Sequence, residues 1–111
     1  MDKLNILWTT GDKETFLSMI AMYTPNALKN GWWDEINILI WGGSTKLAFE
    51  DTQVQKRITK LIETGVTVEA CKACADKYKA SQTLQDLGVD VKYTGTILTE
   101  YIKSDDKLLT I

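Results

Sequence analysis

The chain has 111 residues, 44% apolar and 25% charged, with a net charge of −2. That is enough chain for one domain, residues 1–111, around a buried core, and the composition excludes disorder. Lys and Arg form no basic block, which argues against nucleic acid as a partner, no apolar run is long enough to span a bilayer, and the absence of His removes the commonest general base and metal ligand.

Met1-Asp2-Lys3-Leu4 leads almost directly into a strand and carries no signal peptide, so a cytoplasmic, reducing compartment is expected. The first strand spans Lys3 to Trp8, and Thr9-Thr10-Gly11-Asp12 follows as a loop with good helix-capping residues. The next helix carries Phe16, Ile20, Tyr23 and Ala27 on one stripe; Pro25 should kink it or start a second segment, and Gly31 ends it. Trp32 and Trp33 are expected to cap the core or to serve an oligomer interface. Ile36 to Trp41 is a nearly continuous apolar run, as in a parallel strand covered on both faces, and Gly42-Gly43-Ser44 closes it. Thr52 and Gln55 fit a capping box at the head of a helix that buries Val54, Ile58, Leu61 and Ile62 and stops at Gly65. Gly65 to Ala70 reads as the third strand, with a helix from Ala73 onward. Ser81 is the expected cap of a further helix that buries Leu84 and Leu87 and stops at Gly88. Val89 to Tyr93 is a fourth strand, Thr96 to Lys103 a short helix and Lys107 to Ile111 a closing strand. Asp105-Asp106 reads as a solvated turn.

The order is βαβαβαβαβ. Such alternation predicts an α/β fold, three-layer α/β/α, with a five-stranded parallel sheet of flavodoxin-like appearance. In such sheets ligands bind beyond the carboxyl ends of the strands. Four loops share that edge, and a pocket there would draw on Thr10, Gly11, Asp12, Gly42, Gly43, Ser44, Tyr93 and Gly95. Small residues let backbone approach a ligand closely, although ordinary βα turns need glycine as well.

The chain's two cysteines, Cys71 and Cys74, form a CxxC where the third strand turns into a helix, an environment that favours a thiolate. Three readings apply. Zinc requires four ligands, and two thiols without His supply too few, so no metal is expected. A thioredoxin-type exchanger pairs its motif with a downstream proline, whereas the sole proline, Pro25, lies upstream. The third reading is a single reactive thiol, Cys71, with Cys74 as a resolving or packing residue. Strand alternation puts Glu69 on the same face as Cys71. There its carboxylate would raise the thiol pKa and serve proton transfer, or else make a polar contact at an interface or sheet edge. Lys72 and Lys77 would favour the thiolate.

Three segments make the chain resemble the DsrE/DsrF-like family of small sulfur-relay-type proteins: Trp41-Gly42-Gly43-Ser44-Thr45-Lys46-Leu47, the run from Gly65 through Ala70-Cys71-Lys72-Ala73-Cys74-Ala75-Asp76, and Leu87 to Gly95. The closing Lys107 to Ile111 matches the family's last strand. The resemblance implies the same three-layer fold, assembly into trimers or hexamers, and a cysteine after the third strand, matching Cys71, that carries sulfur as a persulfide. Cys74 belongs to a CxxC subgroup, and its role does not carry over. The expectation is a cytoplasmic homo-oligomer, a sulfur carrier rather than a turnover enzyme, without cofactor and with sulfur donor and acceptor proteins as partners. The alternatives are a dithiol–disulfide redox protein using both cysteines and a non-catalytic oligomer that binds a small ligand.

Overall fold

The computed structural model describes residues 2–111. Five parallel strands form one sheet in the order β4-β3-β2-β1-β5: β1 Lys3–Trp8, β2 Glu35–Ile40, β3 Thr67–Cys71, β4 Asp90–Lys92 and β5 Lys107–Thr110. The first four strands step across the sheet in one direction, and β5 returns to the far side of β1. Right-handed crossovers therefore place the connections up to β4 on one face and the last connection on the other.

The first face is apolar. Leu4, Ile6 and Trp8 of β1 lie in register with Ile36, Ile38 and Ile40 of β2, and Val68 and Ala70 of β3 continue the rows. Against them pack Phe16, Ile20, Ala21 and Ala27 of the first helical run and Val54, Ile58 and Leu61 of a later helix. The opposite face carries Asn5, Asn37, Glu69 and Cys71, all buried, under a single helix. The expected two-sided apolar strand is thus apolar on one side and amphipathic on the other. It runs Glu35–Ile40, leaving Trp41 beyond its end.

The first helical run, α1, spans residues 13–29. It opens with an α turn (Lys13–Thr15), widens into a π segment (Phe16–Ile20) and continues as α-helix (Ala21–Lys29). Pro25 neither splits nor ends it. Proline cannot donate to the carbonyl four residues back; the Arg57 guanidinium occupies that carbonyl, Ala21 O, at 3.1 Å. Gly31 follows with φ +71°. Trp33 packs on the core and donates its indole N–H to Tyr23 Oη at 2.9 Å, whereas Trp32 is exposed.

Three local expectations need correction. Gly42-Gly43-Ser44 is not merely a loop, because α2, Gly43–Glu50, starts within it. The next helix, α3 (Thr52–Glu63), is capped by Asp51, whose carboxylate accepts from Val54 N–H at 3.0 Å. Thr52 already lies inside the helix, and Gln55 donates to the carbonyls of Ala48 and Phe49 at 3.0 and 2.8 Å rather than back to the cap. An aspartate one residue upstream outcompetes threonine as the cap acceptor. Helices α4 (Lys72–Lys77) and α5 (Ser81–Asp86) follow β3, and α6 (Gly95–Lys103) covers the second face. Ser81 sits inside α5, one residue after the cap, and its hydroxyl donates to Asp76.

Candidate functional site

β3 delivers both groups of interest. Cys71 is its last residue and the cap residue of α4, so the chain turns at the sulfur and brings the N–H groups of Ala73 and Cys74 over it. Both cysteines are free thiols, Cys71 buried and Cys74 half-buried. Burial pushes the Cys71 thiol up, but the Cys74 N–H, the Thr94 hydroxyl, the Cys74 thiol and the Ala73 N–H outweigh it and leave Cys71 below the ordinary thiol range. Cys74 moves the other way. Burial raises it, the Gly42 N–H opposes that, and the neighbouring Cys71 raises it further. The pair is therefore unequal, with a thiolate favoured at Cys71 and a proton held on Cys74.

Glu69 shares its strand face with Cys71 but is engaged elsewhere. Its carboxylate accepts from Asn37 Nδ2 at 2.7 Å, from the Tyr101 hydroxyl of α6 and from Lys92 Nζ of β4 at 2.6 Å. Burial raises the Glu69 carboxyl, yet these three donors bring it below the usual carboxylate range. Tyr101 is pushed well above the usual phenol range by its burial and by the same carboxylate. Glu69 is thus a fixed anion at the centre of a polar cluster. Of the two lysines beside the motif, Lys72 pairs with Asp76 at 2.7 Å and stands over the Tyr93 ring, whereas the charge of Lys77 acts on Cys74, where it opposes the rise.

The pocket residues expected at the loop edge divide sharply. Asp12 caps α1, accepting from Thr15 N–H at 3.1 Å, and Thr10 Oγ1 accepts from Asp12 N–H at 3.1 Å. Ser44 is fully buried, donating to Trp8 O at 2.5 Å and accepting from Trp41 N–H at 3.1 Å. A Cβ on Gly43 would meet Thr9 O at 3.1 Å and Gly11 N at 3.3 Å. These glycines therefore let the β1 and β2 loops approach each other. Gly42, at φ +67°, is the one that reaches the thiols, through its N–H to Cys74. Tyr93 is exposed beside Lys72. Gly95 opens α6 and lines a cleft of about 580 Å³ with Thr96, Thr99, Glu100, Lys103 and Ser104, none of them a thiol. A second cleft of about 570 Å³ lies along Lys3, Asn37, Thr67, Glu69, Asp90 and Tyr101.

Sequence reasoning passed over Thr94, the buried residue between Tyr93 and Gly95. Its loop was legible as part of the edge, but no local pattern says which way a threonine hydroxyl turns.

The fold and the thiol pair define an α/β protein with a parallel sheet and a cysteine site at the carboxyl edge of its third strand. The chain belongs to the DsrE/DsrF-like family, whose model matches residues 12–111. A conserved protein of unknown function, BT1422 from Bacteroides thetaiotaomicron, is 46% identical over 99% of this chain and 95% of its own, with a TM-score of 0.96. The ychN protein from E. coli and MTH1491 from Methanobacterium thermoautotrophicum, the latter also of unknown function, share the fold at 18% and 17% identity. Their TM-scores are 0.75 and 0.66, with full coverage of both chains in each case. No curated protein matches the chain.

Proposed function

We propose that the protein is a sulfur carrier that holds sulfane sulfur as a persulfide on Cys71. The observation that carries this reading is the opposed tuning of the two thiols, Cys71 lowered and Cys74 raised. Membership of a family of sulfur-relay type supports it.

The Cys71 thiolate attacks the outer sulfur of a donor persulfide, R–S–SH. The donor S–S bond breaks, the new Cys71 S–S bond forms, and R–S⁻ leaves with the electron pair. An acceptor thiolate then attacks the outer sulfur of the Cys71 persulfide, taking it on as R′–S–SH and returning Cys71 as the thiolate. Each transfer is balanced without an external oxidant or cofactor. The test is intact mass after incubation with a small-molecule persulfide donor. Wild type should gain one sulfur atom and Cys71→Ser none; no gain in wild type, or equal gain in the mutant, rejects the carrier.

The proximity of the Cys74 thiol to Cys71 favours a second reading, a dithiol–disulfide couple. The Cys74 thiol would attack the inner sulfur of the Cys71 persulfide, forming the intramolecular disulfide and releasing H₂S. It predicts a reversible mass loss of two hydrogens that Cys74→Ala abolishes.

The reading places the carrier in the cytoplasm among donor and acceptor proteins, as a homo-oligomer, a trimer or hexamer. The exposed apolar Ile102 and Leu109 support assembly. Light scattering of the purified chain at working concentration tests it, and a monomer would reject it. Among the described residues no helix is long and apolar enough to cross a membrane.

A further inference from the structure

Thr94 ends the chain's path out of β4 and is the cap residue of α6. Its carbonyl accepts from Leu98 N–H at 2.8 Å, the first bond of that helix. Threonine at this position ordinarily turns its hydroxyl onto a first-turn N–H. Here it does not: the side chain makes no capping bond. The residue is only 1% exposed, and its Oγ1 is buried with no hydrogen-bond partner. Forgoing both water and the cap is unfavourable, so a state that offers the hydroxyl an acceptor is favoured.

The β3–β4 register sets Cys71 opposite Lys92, two residues before Thr94, and the Thr94 hydroxyl favours the ionised form of the Cys71 sulfur. A thiol sulfur accepts weakly, whereas an anion accepts strongly. The orphaned hydroxyl therefore gains a full partner only when Cys71 loses its proton.

We propose that Thr94 is a positioning residue that donates a hydrogen bond to the Cys71 thiolate and so sets the ionisation of the nucleophile. The proposal rests on Cys71 being the reactive thiol, but not on sulfur being its cargo. The other titratable and charged groups around Cys71 are Cys74, Lys72, Asp76 and Lys77 on α4, Glu69 on β3, and Lys92 on β4 with Tyr93 after it. Glu69, Lys92, Lys72 and Asp76 are held in ion pairs. Cys74 is the thiol that touches Cys71 and titrates together with it.

The experiment is the rate of iodoacetamide alkylation of Cys71 against pH in a Cys74→Ala background, which removes that overlap. Thr94→Val should move the midpoint upward by about one pH unit, a roughly tenfold fall in thiolate near neutral pH. Thr94→Ser should restore the parent midpoint. Thermal melting should be little changed, because the hydroxyl caps nothing. Should the valine variant fail to fold, Thr94→Ala against Thr94→Ser gives the same comparison. An unchanged midpoint in Thr94→Val or Thr94→Ala, or a serine variant that titrates like valine, overturns the proposal. If the midpoint shifts but no sulfur is ever taken up by wild type, the carrier reading fails and the role of Thr94 stands.

Discussion

Glu69 and Cys71 lie two residues apart on one face of β3, and their surroundings differ. Glu69 has donors from β2, β4 and α6 converging on a single carboxylate. Cys71 is approached by the N–H groups of Ala73 and Cys74 at a helix start and by a Thr94 hydroxyl that has no hydrogen-bond partner among the described residues. A polar group that the fold satisfies from several elements ties those elements together. One that the fold leaves short keeps free energy in reserve for a change of charge. The same strand thus supplies a structural anion in its middle and, on the proposed reading, a reactive one at its end.

The largest expected effect lies at the thiol. Cys71→Ser should abolish persulfide uptake, read by intact mass, while leaving the urea midpoint close to wild type. A large fall in stability instead would break the contrast by making Cys71 structural. Glu69→Ala should do the reverse. It takes the acceptor from the Tyr101 hydroxyl, weakens the bonding of Asn37 and leaves Lys92 to Asp90 alone, at a cost of about 1–3 kcal/mol by urea denaturation, with little change in the Cys71 alkylation midpoint. A shifted midpoint would restore the proton-transfer role for Glu69.

Glycine substitution at the loops comes next. Gly43→Ala forces a Cβ against the backbone of Thr9 and Gly11 and should cost about 1–3 kcal/mol. Gly42→Ala meets no neighbour but strains a positive φ, at about 1 kcal/mol. Stability across pH sharpens the picture of Glu69. Its folded pKa is lowered, so its contribution is present above the ordinary carboxyl value of about 4.3 and is lost as pH falls through the folded value. Thermal melts from pH 6 to 3 should show the loss in wild type and a smaller one in Glu69→Gln.

Several sequence signals carried through intact because they are short-range. The apolar runs of β1 and β2, the stop at Gly65 with φ +105° and the placement of the CxxC at a βα junction each depend on a few consecutive residues. Other readings turned on competition between near neighbours. Asp51 displaced Thr52 as a cap, and Arg57 took over the carbonyl that Pro25 leaves vacant, so a helix expected to break runs on. The pocket residues show the same limit. Gly11 and Gly43 are needed at their positions, as small residues, but for contact with each other across two loops.

By itself the sequence determined the alternation of strands and helices, the parallel sheet that follows from it, and the position of the two thiols at the end of a strand. These are written in local periodicity, caps and stops. Only the tertiary structure decided that β5 returns beside β1 and puts α6 on the polar face, that Glu69 answers to Asn37, Tyr101 and Lys92, and that Thr94 turns toward Cys71. Those side-chain pairings join residues from 23 to 32 positions apart. They depend on which strands become neighbours, and hydrophobic pattern leaves that choice open until the crossovers close.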